Sequence, residues 1–206
     1  KIREALGRKG SILGLDKKIS YLVSAGIKEL NIDLIYGIPG QSLTQWKNDL
    51  ERASSLPITH LSAYNLTIEK KSPIKKRFKV SDINDNTSTL MWDLAEKILK
   101  QRSGVKRYEI SNYAKQGHEC RHNLDFWHGK NYIGLGPAAV SSIGNIRRIN
   151  PSDIKKWASS EHIVNETLTP EQRAREILIL GLRTVRGADV ESLRKTTGVD
   201  ILKTCG

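Results

Sequence analysis

The segment at 28–40, KELNIDLIYGIPG, limits the possible folds more than any other part of this chain. It is a β-branched, strongly apolar run, and Gly37, Pro39 and Gly40 end it abruptly, as they would a buried strand. Helical patterns flank it on both sides. From Asp16 to Ala25 the apolar residues Ile19, Leu22 and Val23 recur at helical spacing, and Gly26 supplies a stop. Ser42 is a good N-cap for a second helix, whose Leu43, Trp46, Leu50 and Ala53 mark one face before Pro57. A second strand, ITHLSAYNLTI, follows. A helix from about Asn86 to Gln101 then turns Leu90, Leu94 and Ile98 inward, and Val105 to Ile110 is expected to form a third strand.

Strands alternating with helices of this length are βαβ units, which need a parallel sheet with right-handed crossovers. The order fits an α/β fold, either a slice of a (β/α) barrel or a doubly wound sheet. In both architectures ligands sit at the carboxyl ends of the strands, where Gly37–Gln41, Asn65–Glu69 and the 111–128 loop are expected to converge. After Asn150 the texture changes. Residues 151–165 are polar, with a helical patch around Trp157, and Thr169, Pro170 and Gln172 form a helix-start signature. Ala174, Ile177, Leu178 and Leu182 then mark one helix, and Val190 to Thr196 another. The expected division is a barrel-type domain at 1–150, followed by a linker and a small helical domain at 151–206.

Composition narrows the functional classes. With 206 residues, 38% of them hydrophobic and 27% charged, the chain is an ordinary globular one, without an apolar run near the roughly 20 residues of a spanning helix. No signal peptide is expected from its start. Two distant cysteines, Cys120 and Cys205, fit a reducing compartment, and cytoplasm is the expectation. The net charge of +12 raises the question of nucleic acid. Its densest cluster, Lys70, Lys71, Lys75, Lys76, Arg77 and Lys79, lies in a linker without the aromatic interleaving of a single-strand binder. A solvated face is the plainer account, and no specific nucleic acid is expected.

Chemistry concentrates in two places. Asp33 lies inside the apolar strand, on the same face as Asn31 and Ile35, and a carboxylate there needs a pair, hydrogen bonds or a polar lumen. A structural ion pair satisfies that need as well as a binding role does. The second place is Tyr108–Ser142, a stretch rich in histidine, aromatic residues and glycine that reads as one irregular, ligand-binding loop. His118, Cys120 and His122 fall at i, i+2 and i+4 and would face one way in extended chain; with His128 they offer four metal-capable groups. H-x-C-x-H is nonetheless a weak zinc spacing. Phe126 and Trp127 beside the histidines suit a flat macrocycle held by one axial imidazole. A solvated histidine loop with Trp127 in the core is the alternative. Gly134 and Gly136 lack the order of a dinucleotide loop and allow only close backbone approach to a ligand. No phosphate loop, nucleophile elbow or Ser-His-Asp arrangement is present.

Taken together, NIDLIYGIPGQSLTQW, HLSAYNLTIE, YEISNYAKQGHECRHNLDFW and YIGLGP resemble the HemW family of haem chaperones, the coproporphyrinogen III oxidase-like branch of the radical S-adenosylmethionine (SAM) proteins. LTPEQRAREILILGLRTVRGADVESLRKTTGVDI is similar to the small winged-helix-like domain that ends those proteins. The resemblance implies a partial (β/α) barrel that, complete, holds a [4Fe-4S] cluster on a C-x-x-x-C-x-x-C loop with SAM on its open iron. No such loop occurs here; the resemblance places it upstream of Lys1, and the chain by itself is expected to hold no cluster and do no radical chemistry. By the same resemblance Arg8 and Asp33 would contact SAM, the aspartate at the ribose hydroxyls, with looser contacts from Thr67 and Val140. His122, Asn123, Phe126 and Trp127 match the family's H-N-x-x-[YF]-W haem signature, with His122 at the haem iron and the rings on the porphyrin. The function implied is acceptance of haem and its delivery to acceptor haem proteins, some of them at membranes. An oxygen-independent coproporphyrinogen III oxidase and a basic nucleic-acid-associated module are the other two readings. One departure stands out: where the chaperones usually read G-P-G-A-H, this chain has Gly136, Pro137, Ala138, Ala139 and Val140.

Overall fold

The computed structural model describes residues 4, 6–7, 13–69, 72–159 and 163–204. The chain forms two compact units, Lys1–Glu119 and Cys120–Gly206. Arg8, Lys70, Lys71 and Cys205 lie outside the described residues.

In the first unit, α1 (Leu15–Ser24), β1 (Asn31–Tyr36), α2 (Leu43–Ser54), β2 (His60–Asn65) and α3 (Asp85–Arg102) follow the expected order. Helix α2 starts as the sequence predicts: the Ser42 hydroxyl accepts from Gln45 N–H, and the Gln45 side chain accepts from Ser42 N–H in return. β1 and β2 pair in parallel, Asn31 opposite His60 and Tyr36 opposite Asn65. The period of two then sorts the strand residues. Tyr36, Leu61 and Ala63 join Trp46, Leu50, Met91, Ala95, Ile98 and Leu99 in one core beneath the helices, with Ile32 and Leu34 packed against it. Trp46 is fully buried, and its indole N–H donates to Met91 O at 2.7 Å.

On α3 the expected inward residues Leu94 and Ile98 pack against this core, and Leu90 does not. Leu90 is 54% exposed, and Met91, Ala95, Ile98 and Leu99 carry the packing. Leu22, Val23 and Leu43 are likewise exposed, since each helix needs only a narrow stripe to cover the sheet.

The third strand also differs. Only Lys106–Arg107 form β3, which pairs antiparallel with β4 (Asn112–Ala114), and β4 pairs antiparallel with β2, giving the order β1-β2-β4-β3. The buried Glu109 explains the reversal, because its carboxylate accepts from Ser111 N–H and the Asn112 side chain and so closes a tight turn. β4 therefore runs back along β2, Asn112 opposite Ser62 and Ala114 opposite His60. The loops 37–41 and 66–69 leave from one edge of the sheet, as expected. Residues 115–119 leave from the other edge, where Lys115 N–H donates to Thr59 O and His118 pairs with Glu29. The expected convergence of three loops is thus one of two loops and the 108–111 turn.

The second unit contains α4 (Arg121–Trp127), an antiparallel sheet β5-β6-β7 (Val140–Ile143, Ile146–Ile149, Ile163–Thr167), α5 (Ile154–Ala158), α6 (Pro170–Gly181), α7 (Val190–Thr197) and α8 (Ile201–Thr204). The expected boundary at 150 would cut this sheet, since β6 pairs with β7 across it. The two units divide at 119/120 instead. Thr169 and Gln172 form the expected reciprocal cap of α6. Ala174, Ile177, Leu193 and Ile201 make a second, smaller core. No helix among the described residues is long and apolar enough to cross a membrane.

Candidate functional site

The stretch expected to be an irregular loop winds instead into α4, so His118, Cys120 and His122 do not share the face of an extended strand. Cys120 is the residue before the helix, His122 lies in its first turn, and His118 Nδ1 sits 2.9 Å from both oxygens of Glu29. Hydrogen bonding from His118, and then from Thr59, holds the Glu29 carboxyl below its usual range. Among the described residues no group of three metal-capable side chains is assembled. The zinc arrangement therefore has no geometric support, for the simple reason that helix geometry replaced the strand period.

Helical spacing has a second effect. It puts His122 and Phe126 one turn apart on the same side of α4, with ring centroids 4.8 Å apart in an edge-to-face arrangement. Phe126 in turn lies 4.3 Å from the Tyr132 ring. Tyr132 is held there by two backbone hydrogen bonds with Ser142, both 2.9 Å, which align it beside β5. The result is a row of three rings, His122, Phe126 and Tyr132, with the imidazole exposed at its end. Tyr132 was not singled out in the sequence; its only signal was its place between the two glycine-rich stretches, and the pairing with Ser142 is what brings it in.

Trp127 has a different setting. An Arg183 guanidinium lies 4.5 Å over its ring, and its indole N–H is buried without a partner among the described residues. Trp127 also lines a cleft of about 560 Å³ with Gly129, Ile177, Gly181 and Leu193. Asn123, one turn before it, is half-buried. The four residues of the signature are thus together on one short helix, His122 and Phe126 facing the ring row and Trp127 the cleft.

Two features fix that helix. Gly129 ends it in the left-handed conformation at φ +64, and a Cβ there would meet Ile177 Cγ1 at 2.5 Å. Arg173, 4% exposed on α6, donates to Gly129 O and pairs with Glu176. Glu176 also binds Arg147, which bridges to Glu166 on the neighbouring strand. A buried cation thus satisfies the end of α4 and is itself neutralised.

The glycine-rich stretch after Tyr132 approaches its own chain rather than a ligand: a Cβ on Gly134 would overlap the backbone of Val140. Asn150 clamps the turn by donating to Gly136 O at 2.9 Å, and Ala138 sits in the left-handed region at φ 58. Val140 opens β5 in this second unit.

In the first unit Asp33 is exposed on the face of β1 opposite the core and accepts from the Asn31 side chain at 2.7 Å. Among the described residues no ion pair takes it up. Thr67, also exposed, lies two residues past β2, at the edge from which the Gly37 loop departs. Gly37 makes that close passage possible: its φ is +71, and a Cβ would meet Asn65 and Ser88. Arg8 is outside the described residues. Of the four residues expected at SAM, the structure therefore places Asp33 and Thr67 in one unit and Val140 in the other.

Residues 168–206 match the HemN C-terminal domain family. The chain is similar to the heme chaperone HemW of Buchnera aphidicola subsp. Schizaphis graminum, 40% identical over 165 residues that cover 79% of this chain and 40% of that protein. It is 39% identical over 145 residues to the heme chaperone HemW of Escherichia coli (strain K12), covering 68% and 37%. With the heme chaperone HemW of Synechocystis it shares 30% over 212 residues, covering 96% and 51%. The chain spans about half the length, or less, of these curated relatives. Among solved structures it is similar to the coproporphyrinogen III oxidase HemN from Escherichia coli, a radical SAM enzyme, with a TM-score of 0.79 and 17% identity over 98% of this chain and 51% of that one. The fold is that of the corresponding half of a radical SAM protein: part of the (β/α) barrel, then a small helical domain.

Proposed function

We propose that this chain, similar along most of its length to the HemW haem chaperones, is the haem-accepting part of such a chaperone, which binds haem and passes it to acceptor haem proteins. The observation that carries this reading is the exposed imidazole of His122 at the end of an aromatic row formed with Phe126 and Tyr132. An accessible nitrogen donor beside apolar rings is what a porphyrin iron and its flat macrocycle require. His122 would supply the ligand and Phe126 and Tyr132 would face the ring, with Asn123 and Trp127 on the same short helix. When bound, haem brings a coordination site for the imidazole and a large apolar face. The rest is the chain's own work, through Arg173 and Gly129, which fix the helix that orients His122.

SAM is assigned to the first unit, at Asp33, with Thr67 past the end of the neighbouring strand. The exposed carboxylate is suited to accept from the vicinal hydroxyls of a ribose. A [4Fe-4S] cluster does not fit the cysteines of this chain, which has only Cys120 and Cys205. The likeness to coproporphyrinogen III oxidase is one of fold alone.

The test is a haem titration followed at the Soret band, with the unaltered chain and its His122→Ala and Phe126→Ala variants. Saturable binding that weakens at least tenfold in His122→Ala supports the assignment. Equal binding by all three proteins sinks it.

A further inference from the structure

Behind Asp33, on the face of β1 and β2 turned away from the core, the side chains form one continuous hydrogen-bonded line. The Tyr108 hydroxyl is 2.8 Å from His60 Nε2, and His60 Nδ1 is 2.7 Å from Asn31 Oδ1. The Asn31 amide then donates to Asp33 Oδ1 at 2.7 Å, and reaches Ser62 Oγ at 3.3 Å. Strand register builds this line, since Asn31 lies opposite His60 and Asp33 opposite Ser62. His60 is 8% exposed, and its ring also meets the Tyr108 ring edge-on at 5.6 Å.

The line has a direction. Nδ1 of His60 faces a carbonyl oxygen, so it must carry the proton. Burial holds the imidazole pKa down, so the ring is neutral and Nε2 is left as an acceptor. The Tyr108 hydroxyl therefore donates to it. Suppose instead that Nε2 carried the proton. Nδ1 would then need a donor, Asn31 would turn its amide nitrogen toward His60, and its oxygen would face the Asp33 carboxylate. Two acceptors in contact repel, and Asp33 would lose its support. The Asp33 carboxylate, which can only accept, thus fixes the Asn31 amide and through it the Nδ1–H tautomer of His60, and the Tyr108 hydroxyl supplies the donor that Nε2 then needs.

We propose that Tyr108, His60 and Asn31 are positioning residues for Asp33, a relay that engages one carboxylate oxygen and leaves the other to receive a ligand hydroxyl. The proposal rests on the assignment of SAM to Asp33 made above. Ser62 completes the arrangement by bracing the Asn31 amide from the neighbouring strand. None of the three touches the ligand; each acts through the next.

The experiment pairs a spectroscopic readout with a binding one, on the full chain. The nitrogen shifts of ¹⁵N-labelled His60 report which ring nitrogen is protonated, and calorimetry with S-adenosylmethionine reports affinity. The unaltered chain is expected to show the Nδ1–H tautomer. Tyr108→Phe, which keeps the ring and removes the hydroxyl, takes the donor from Nε2; it is expected to shift the Nε2 resonance to that of an unbonded acceptor while Nδ1–H is kept, and to weaken binding about tenfold, the equivalent of one hydrogen bond to a charged group. Asp33→Asn should weaken binding at least as much. An Nε2–H ring in the unaltered chain overturns the relay, whatever the ligand does. So does a Tyr108→Phe variant that keeps its affinity while Asp33→Asn loses affinity. If Asp33→Asn binds as well as the unaltered chain, or neither binds, the SAM assignment fails and takes the relay's role with it. An Nδ1–H ring in the unaltered chain would then locate the failure in the ligand, not in the hydrogen bonds.

Discussion

At Gly37 the chain leaves β1 in a left-handed conformation with the Asn65 and Ser88 side chains where a Cβ would stand. Gly37→Ala is therefore expected to cost about 1–3 kcal/mol from backbone strain alone, with the clash added to it. The midpoint of urea unfolding measures this directly, and an unchanged midpoint would contradict it. Ala138 is the opposite case, a residue with a side chain held at φ 58. Ala138→Gly should stabilise the chain by about 0.5–1 kcal/mol, the relief of the left-handed strain less the added chain entropy. The glycine the resemblance leads one to expect there has the same physical meaning. Asp33 and His122 were legible as residues because a carboxylate in an apolar strand and a histidine among aromatic rings are unusual in any sequence. Their partners were not: nothing in the local sequence ties His60 to Asn31 or Tyr132 to Phe126, since both pairings depend on strand register.

Among elements, the helices with strong caps were the readable ones. The Ser42/Gln45 and Thr169/Gln172 boxes each satisfy two otherwise unpaired N–H groups, and both lie where the sequence placed them. Thr169→Ala should accordingly cost about 1 kcal/mol. Chemical denaturation is the check, and Gln172→Ala should show a smaller loss in the same direction. Helix α4 was hidden because its seven residues, RHNLDFW, have no side-chain cap and a composition suited to a loop. It is held by Gly129 and Arg173, both outside it. The hairpin of β5 and β6 was hidden for a related reason: the run IRRI alternates weakly, and its Arg147 is neutralised by Glu166 and Glu176, 19 and 29 residues further on.

For the whole molecule the polar side of the first unit carries a pH dependence. His60 is neutral in the folded chain because burial lowers its pKa, the nearby Asp33 and Glu29 charges opposing this only in part. In the unfolded chain it takes a proton near the ordinary imidazole value of about 6.5. Stability from this group is thus complete above that value and is lost as pH falls below it toward the folded pKa. Thermal melts of the chain and of His60→Asn between pH 7.5 and pH 5 test the sign: the difference between the two should narrow as pH falls.

The amino-acid sequence alone determined the alternation of helices and strands, the parallel pairing of β1 with β2, the caps of α2 and α6, and the residues with a claim on a ligand. All of these follow from periodicity and side-chain chemistry within about twenty residues. Only the tertiary structure decided that β4 turns back along β2, that the sheet of β5 to β7 crosses position 150, and that His122 stands on a helix beside Tyr132. The physical reason is the same in each case. The deciding contacts, from the buried Glu109 turn to the Arg173 anchor and the His60 hydrogen bonds, satisfy polar groups that must find partners once they are buried, and those partners come from wherever the fold brings them.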